Sequence, residues 1–353
     1  MTEAVTAGAE QVAPADIDSL AAILRRATKE RKVVQVVGGG TRQGYGAPSP
    51  PDLVLSMSGL TGIEEWDPDD LTVTVRSGTP VAELEETLAT RSQTAVMPEI
   101  PGASTVGGVV AAGVSSLRRG RLLGTRERIL EVTLVTGDGR IVRAGGRVVK
   151  NVSGFDLPRL AVGAFGSLGV IVGICLKLWS TPQASATVTV DDLAFADRVV
   201  RPLAVLEHDG VKRVFLWGTE EEVDATSSRL DGHVVAGLDW PPDPTGSFRW
   251  SLRVPPALTR EAIARVPAEW SYLAIHRVGE IRASSPAIDG AESLRSWAEE
   301  RGGALVVVDA PSGGLSGLDP WGSPPPGLDL QRRLIAQFDP GRVINPGRLP
   351  GGI

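Results

Sequence analysis

Three glycine-rich segments hold the residues whose types and spacing could do chemistry. The first, VVQVVGGGTRQGYGAP, sets Gly38, Gly39, Gly40 and Gly44 around Thr41 and Arg42. Successive backbone N–H groups with no side chains in the way can cradle a doubly charged phosphate. The second, PGASTVGGVVAAGVSS, runs from Pro101 to Ser116. Its Gly102, Gly107, Gly108 and Gly113 permit close backbone approach, and Ser104 and Thr105 offer hydroxyl donors. The third, AVGAFGSLGVIVGICLKLW, feeds a Gly-Ser-Leu-Gly turn into a strand. For a lone loop of this kind, a glycine-rich turn without a ligand is the default reading. Three of them, each beside a β-branched or apolar run, are harder to explain that way.

Two familiar phosphate motifs are excluded. A Rossmann fingerprint needs its glycines to open a helix, but Gly44-Tyr45-Gly46 is followed by Pro48, Pro50 and Pro51. A P-loop needs Gly-Lys-Ser/Thr, and no lysine follows these glycines. No metal site is expected either: the three histidines, His208, His233 and His276, show no HxH or HxxxH spacing. The single cysteine, Cys175, rules out an intrachain disulfide and an iron–sulfur or zinc–thiolate site built from this chain alone. A net charge of -6 argues against a nucleic-acid partner. The N-terminal stretch lacks the basic and apolar regions of a secretory signal, and no run of eighteen apolar residues occurs, so the expectation is a cytoplasmic protein with no transmembrane segment.

The elements that must position these segments are legible in part. Ile17, Leu20, Leu24 and Ala27 recur at helical spacing behind an Asp16 cap. Val33 to Val37, Leu53 to Ser56 and Leu71 to Arg76 read as strands, and PVAELEETLATR as a helix with Val81, Leu84 and Leu88 on one face. Gly137-Asp138-Gly139 signals a hairpin between Glu131–Thr136 and Arg140–Ala144, and Val170 to Trp179 is a long strand. Beyond about Val190 the texture changes. Strands are expected at Val211–Trp217, Ser247–Val254, Tyr272–Arg277 and Ala304–Asp309, with helices at Glu220–Leu230, Ala257–Ala264 and Ala291–Arg301. The stretch PSGGLSGLDPWGSPPPG then reads as a connector or as the chain's return to the first lobe.

The words GGGTRQG at 38–44, PGASTVGG at 101–108, AAGV at 111–114, GGRVVKNVSGFDLPRL at 145–160 and GSLGVI at 166–171, in that order and spacing, resemble the FAD-binding domain of the vanillyl-alcohol-oxidase (PCMH-type) family. Within it, VVKNVSGFDL and INPGRL are most similar to the small FAD-binding subunits of bacterial glycolate oxidases. The resemblance is strong over about residues 15–182, patchy over the second lobe, and returns at 338–349. It implies an α+β fold: a two-lobed PCMH-type FAD-binding domain at 1–185, a smaller α/β cap domain with a mixed or antiparallel sheet at 186–325, and a C-terminal segment, 326–353, returning to the first domain. It further implies that Gly38, Gly39, Gly40, Thr41, Arg42 and Gly44 hold the FAD pyrophosphate. Pro101, Gly102, Ser104, Thr105, Val106, Gly107 and Gly108, with the Ala111, Gly113 and Val114 turn, would lie along the flavin and diphosphate. Gly169, Val170 and Ile171 would meet the adenine end. Covalent members often carry a histidine in the first loop, where this chain has Thr41 or Arg42, so noncovalent FAD is implied, with Cys175 a core residue. Lys150 either reaches the flavin or braces its turn, and Asn345 and Arg348 would lock the C-terminal segment onto the FAD lobe.

Flavin carries the redox chemistry, and a 2-hydroxy acid substrate would need a cation for its carboxylate and a base near its hydroxyl. In SFRWSLRVP, Phe248, Trp250, Leu252 and Val254 would face a core and leave Arg249, Ser251 and Arg253 opposite. In SYLAIHRV, Tyr272 and His276 share a face. If both polar faces look toward the flavin, Arg249, Arg253, Tyr272 and His276 converge as catalytic candidates; otherwise they form a solvated sheet face. The His-rich signature of the family's large catalytic subunits is missing. The resemblance therefore implies a FAD-binding oxidoreductase subunit of a glycolate-oxidase-like complex, accepting or relaying electrons. Its implied partners are a larger FAD-bearing catalytic subunit and an iron–sulfur subunit, which could also associate it with a membrane. Two other readings stay open: a stand-alone FAD-dependent oxidoreductase of a small hydroxy acid or alcohol, and a structural subunit with a weakly used FAD site. Trp240 and Trp321, each in a proline-rich stretch, are candidates for packing or for a subunit interface.

Overall fold

A computed structural model describes residues 8–99, 102–147, 155–194 and 199–353. The chain divides into two compact units. One comprises Met1–Ser116, Gly124–Ser180 and Pro324–Ile353; the other comprises Leu117–Leu123 and Thr181–Ser323.

The first unit contains two main sheets. Strands β1 (Glu10–Val12), β2 (Val34–Val37) and β3 (Leu53–Ser56) pair in parallel in the order β1-β3-β2. Helix α1 (Ile17–Glu30) lies between the first two in sequence. Its Asp16 side chain accepts from Ser19 N over 2.7 Å, closing the capping box that fixes the start of the helix. The apolar stripe sinks Leu20 and Leu24 completely beside Leu53 and Leu55, each worth about 1.5–3 kcal/mol of burial. The second sheet is antiparallel, with strands β4 (Ile63–Asp67), β5 (Thr72–Arg76), β7 (Ile129–Val135), β8 (Ile141–Gly145) and β9 (Val170–Lys177) in the order β4-β5-β9-β7-β8. A two-stranded ladder joins β6 (Gln93–Thr94) to β10 (Trp179–Ser180). Strand β9 is buried on both faces, and Cys175 lies in its core, its thiol pushed up by burial.

Two helices serve the glycine segments. Helix α2 (Val81–Ala89) buries Val81, Leu84 and Leu88. Helix α3 (Val106–Ala112) forms within 101–116, where the sequence suggests only glycine-bearing turns. Thr105 caps it by accepting from Gly108 N, and Gly113 ends it in the left-handed conformation. Val106, Val109 and Val110 supply the buried face, so packing overrides the poor helix propensity of a Val- and Gly-rich stretch.

The second unit is built on one eight-stranded antiparallel sheet. Its strands are β11 (Ala184–Val190), β12 (Ala204–His208), β13 (Val211–Gly218), β14 (Gly232–Ala236), β15 (Phe248–Arg253), β16 (Ser271–Ile275), β17 (Glu280–Ser285) and β18 (Ala304–Asp309). The order is β14-β11-β13-β12-β16-β17-β15-β18. Helix α4 (Glu220–Ser227) packs on β11 and β13. Helix α5 (Ala291–Glu299) covers the face that carries Trp250 and Leu305, where Trp250 stacks on both Phe248 and Trp270. The short excursion Leu117–Leu123, expected within the first domain, belongs to this unit. Arg119 Nη1 donates to Glu280 over 2.6 Å, and Arg121 Nη1 donates to the Trp217 carbonyl over 2.7 Å. Trp240 stacks on Phe215 at 4.2 Å, a packing role. Among the described residues no helix is long and apolar enough to cross a membrane.

Candidate functional site

A cleft of about 710 Å³, its mouth included, opens in the first unit. Strand β2 delivers Val36 and then the loop Gly38–Gln43 to one wall; Thr105, Gly107, Gly108, Ala111 and Ala112 of α3 and its cap form another. Phe165 and Gly166, with Val170 and Ile171 at the start of β9, close a third side, and Asn345 and Arg348 come in from the C-terminal segment.

Close backbone approach is what the glycines supply. A Cβ on Gly39 would lie 1.4 Å from the Ala103 carbonyl oxygen, and one on Gly107 would lie 2.5 Å from Ser77 Cβ and 2.8 Å from Ser77 O. Gly107 N donates to that same Ser77 oxygen over 2.7 Å. These residues hold the walls against each other. The obstacle to a side chain at either position is protein backbone, not the space a ligand would fill.

The C-terminal segment is bonded into the cleft. Asn345 accepts from Val36 N over 2.9 Å through Oδ1 and donates from Nδ2 to Phe165 O over 2.7 Å. Arg348 Nη1 donates to Gln43 O at 2.8 Å and to Arg42 O and Tyr45 O at 3.3 Å, while Nη2 donates to Gln43 Oε1. Gln35 Nε2 donates to that same Gln43 oxygen at 2.9 Å. The expected locking role of Asn345 and Arg348 is thus what the contacts show.

The donor set fits an anionic dinucleotide. Arg348 is 3% exposed, and its hydrogen-bond partners among the described residues are all neutral oxygens. Burial without a carboxylate lowers its pKa to about 10. Among the described residues no acidic one lines the cleft. Ser77 Oγ is buried there without a hydrogen-bond partner among the described residues, and Gly39, Gly40 and Thr41 spend no backbone N–H on a main-chain carbonyl among them. Orphaned donors around a buried cation are what a phosphate-bearing ligand would satisfy.

Of the predicted cofactor residues, Gly38, Gly39, Gly40, Thr41, Arg42, Thr105, Gly107, Gly108, Ala111, Val170 and Ile171 line the cleft. Gly44, Gly102, Ser104, Val106, Gly113, Val114 and Gly169 do not. Ser104 stands behind the loop, its Oγ 3.4 Å from Thr41 Oγ1. Val106 is core, and Gly169 turns the chain into β9 beside the Val135 carbonyl. Pro101, Lys150 and Asn151 lie outside the described residues. Sequence reasoning missed Ser77 and Met57; a Ser-Gly-Thr turn directly after β5 was the available signal.

In the second unit the four catalytic candidates do not converge. Register places Trp250 opposite Ala283 and Ala283 opposite Tyr272, so Tyr272 shares the helix-covered face with Trp250. Arg249 and Arg253 point to the other face, and alternation returns His276 to the Tyr272 side. Arg249 pairs with Asp309 at 2.7 Å and Arg253 is exposed. Tyr272 Oη donates to Glu207 Oε1 at 2.7 Å, and His276 Nε2 lies 3.3 Å from Glu207 Oε2. The His276 hydrogen bond, with help from Tyr272, holds the Glu207 carboxyl below the usual range despite burial. Burial, then Glu207, pushes the Tyr272 phenol up.

Known proteins resemble the chain in graded ways. An FAD binding domain family matches residues 9–145. Glycolate oxidase subunit GlcE of Escherichia coli (strain K12) is 30% identical over 308 residues, covering 82% of this chain and 84% of that protein. Glycolate oxidase subunit GlcD of Bacillus subtilis (strain 168) is 32% identical over 180 residues, 50% of this chain and 38% of that one. D-lactate dehydrogenase of Archaeoglobus fulgidus is 32% identical over 171 residues, covering 48% and 38%. Among solved structures, an alkyldihydroxyacetonephosphate synthase superposes with a TM-score of 0.67 over 96% of this chain and 77% of that one; at 15% identity it shares the fold alone.

Proposed function

We propose, from the premise that the chain belongs to the vanillyl-alcohol-oxidase (PCMH-type) FAD-binding family, that it is the small FAD subunit of a multi-subunit 2-hydroxy acid oxidase, glycolate being the first substrate to test. The observation that carries the reading is one of extent. Similarity to subunit GlcE continues through 82% of the chain, whereas similarity to GlcD and to D-lactate dehydrogenase stops near half of it and spans 38% of those longer proteins.

FAD is the cofactor. When bound, it accepts and releases electrons, the chemistry the side chains themselves lack. The loop Gly38–Thr41 would hold its pyrophosphate through backbone N–H groups, with the Arg348 and Arg42 charges behind. Thr105, Gly107, Gly108 and Ala111 would lie along it, and Val170 and Ile171 would meet its adenine end. The binding is noncovalent in this reading: the loop offers Thr41 and Arg42 in place of histidine, and Cys175 is buried in β9 outside the cleft lining.

Oxidation of the hydroxy acid itself is assigned to a partner. A hydroxy acid needs a cation and a base together, yet Arg249 and Arg253 lie across the sheet from Tyr272 and His276. The partners proposed are a larger FAD-bearing catalytic subunit and an iron–sulfur subunit, because one cysteine cannot ligate a cluster. Assembly in the cytoplasm, at the membrane only through those partners, completes the proposal. The test is an absorbance spectrum of the purified chain before and after anaerobic glycolate and D-lactate. A flavin band that stays oxidised alone and bleaches when partners are added supports the reading. Bleaching of the isolated chain would overturn it in favour of a self-sufficient enzyme.

A further inference from the structure

A second cleft, of about 600 Å³ with its mouth, lies wholly in the second unit and shares no lining residue with the FAD cleft. It forms where Leu117–Arg121, the segment Arg201–Val205 and the end of β16 through Val278 meet. Arg121, Arg201 and Arg277 line it with His276, and among the described residues no acidic one does.

The three arginines are held to different degrees, Arg121 half-buried and Arg201 and Arg277 exposed at the rim. Arg121 is fixed by its bond to the Trp217 carbonyl, and Arg277 donates twice to Val199 O at 3.3 Å. Arg201 makes no hydrogen bond or ion pair among the described residues, so its guanidinium is available. Arg201 and Arg277 both adopt left-handed backbone, at φ 56° and 67°, a conformation unfavourable for a non-glycine residue. Burial and then the neighbouring Arg201 charge lower the proton affinity of Arg121, with Glu222 opposing. Arg201, with no ion pair among the described residues, thus stands beside the Arg121 charge at a concave site. Beside Arg277, His276 is 9% exposed, its ring within hydrogen-bond distance of Glu207.

We propose that this pocket binds a small oxyanion, a carboxylate or a phosphate group, gripped by Arg201 and Arg121 with Arg277 adding charge and His276 forming a wall. Guanidinium forks match both oxyanions, so the chemistry is shared and the probe decides the source. The site goes beyond the FAD reading and does not depend on it.

The test is calorimetric titration of the full, flavin-loaded chain with oxalate and, separately, inorganic phosphate. Saturable binding of either is expected, the tighter probe naming the class, with Arg201→Gln weakening it about tenfold or more through loss of a charge-assisted hydrogen bond. Arg201 is exposed and bonded to nothing described, so the variant should fold, and its flavin absorbance in the same sample reports that it has. Arg201→Lys should restore part of the affinity. No saturable binding of either probe below about 10 mM, or equal affinity in Arg201→Gln, overturns the pocket. A colourless chain that still binds oxalate would instead sink the FAD reading and leave the pocket standing.

Discussion

Arg348 donates to the Gln43 carbonyl across 305 positions of sequence, and with Nη2 to the Gln43 side chain as well, so the C-terminal segment holds the loop that begins the proposed FAD site. This single guanidinium couples two roles. It ties down a glycine-rich loop with little rigidity of its own, and it places a buried positive charge where the pyrophosphate would lie.

Arg348→Met should therefore weaken FAD binding more than it weakens the fold. A lost charge-assisted hydrogen bond is worth about 1.5–3 kcal/mol, which sets the expected loss of FAD affinity at about tenfold or more. Flavin fluorescence on titration into apoprotein measures it. An unchanged Kd would remove Arg348 from the cofactor's surroundings and leave it a purely structural brace.

Gly39→Val and Gly107→Val should lower the melting temperature of the apoprotein as well as abolish flavin retention, since each new side chain meets Ala103 or Ser77 before it could meet a cofactor. Ser77→Ala makes the contrast. It removes a buried hydroxyl that has no protein partner, so the apoprotein should melt unchanged or slightly higher while FAD affinity falls severalfold. Differential scanning calorimetry with and without FAD separates the cases. A glycine variant with an unshifted apoprotein transition would contradict the wall-packing account.

These contrasts mark what was legible in the sequence. The glycine words marked the first loop and the segment that holds α3, though not the helix itself, because close approach demands a residue type that stands out. Strands such as Leu53–Ser56 and Ala304–Asp309 matched their β-branched and apolar runs to the residue. Three kinds of feature were not legible. Glu280–Ser285, with sequence EIRASS, carries a single β-branched residue and forms a strand because β15 and β16 flank it. Ser77 is one serine among many until the fold sets it under Gly107. The error over Arg249, Arg253, Tyr272 and His276 came from combining two strands without their register. Alternation within each strand was right, yet only the ladder through β17 shows which faces coincide.

The second unit should be the acid-sensitive one through Glu207 and Glu280. Burial works against the Glu280 charge, but Arg282, Arg119 and Arg253 outweigh it, so both carboxyls titrate below the ordinary 4.5. A folded-state value below the unfolded one means that unfolding takes up a proton as the pH falls. The stabilisation is complete above about 4.5 and is lost as the pH drops through the depressed values. Urea midpoints at pH 7 and pH 4 should therefore differ less for Glu207→Gln than for the parent, with the variant already weaker at pH 7. Parallel acid profiles for the two would show that the Glu207 carboxylate contributes nothing to folding.

Asn345 offers the sharpest single-atom test of the C-terminal lock. Its backbone is left-handed, at φ 47°, a conformation asparagine tolerates better than most residues, and its two amide atoms are used in opposite senses: Oδ1 accepts from Val36 N while Nδ2 donates to Phe165 O. Asn345→Asp keeps the shape and the acceptor but turns an oxygen toward the Phe165 carbonyl, so a charged residue is buried with one contact repulsive. Asn345→Ala leaves the Val36 N–H and the Phe165 carbonyl unsatisfied at about 1–3 kcal/mol each. Both variants should lower the first unit's transition and expose the segment after Phe338 to limited proteolysis. Only the aspartate should recover as the pH is lowered, because protonation restores a donor toward Phe165. Equal and pH-independent losses would mean that the side chain fills space without its hydrogen bonds directing the lock.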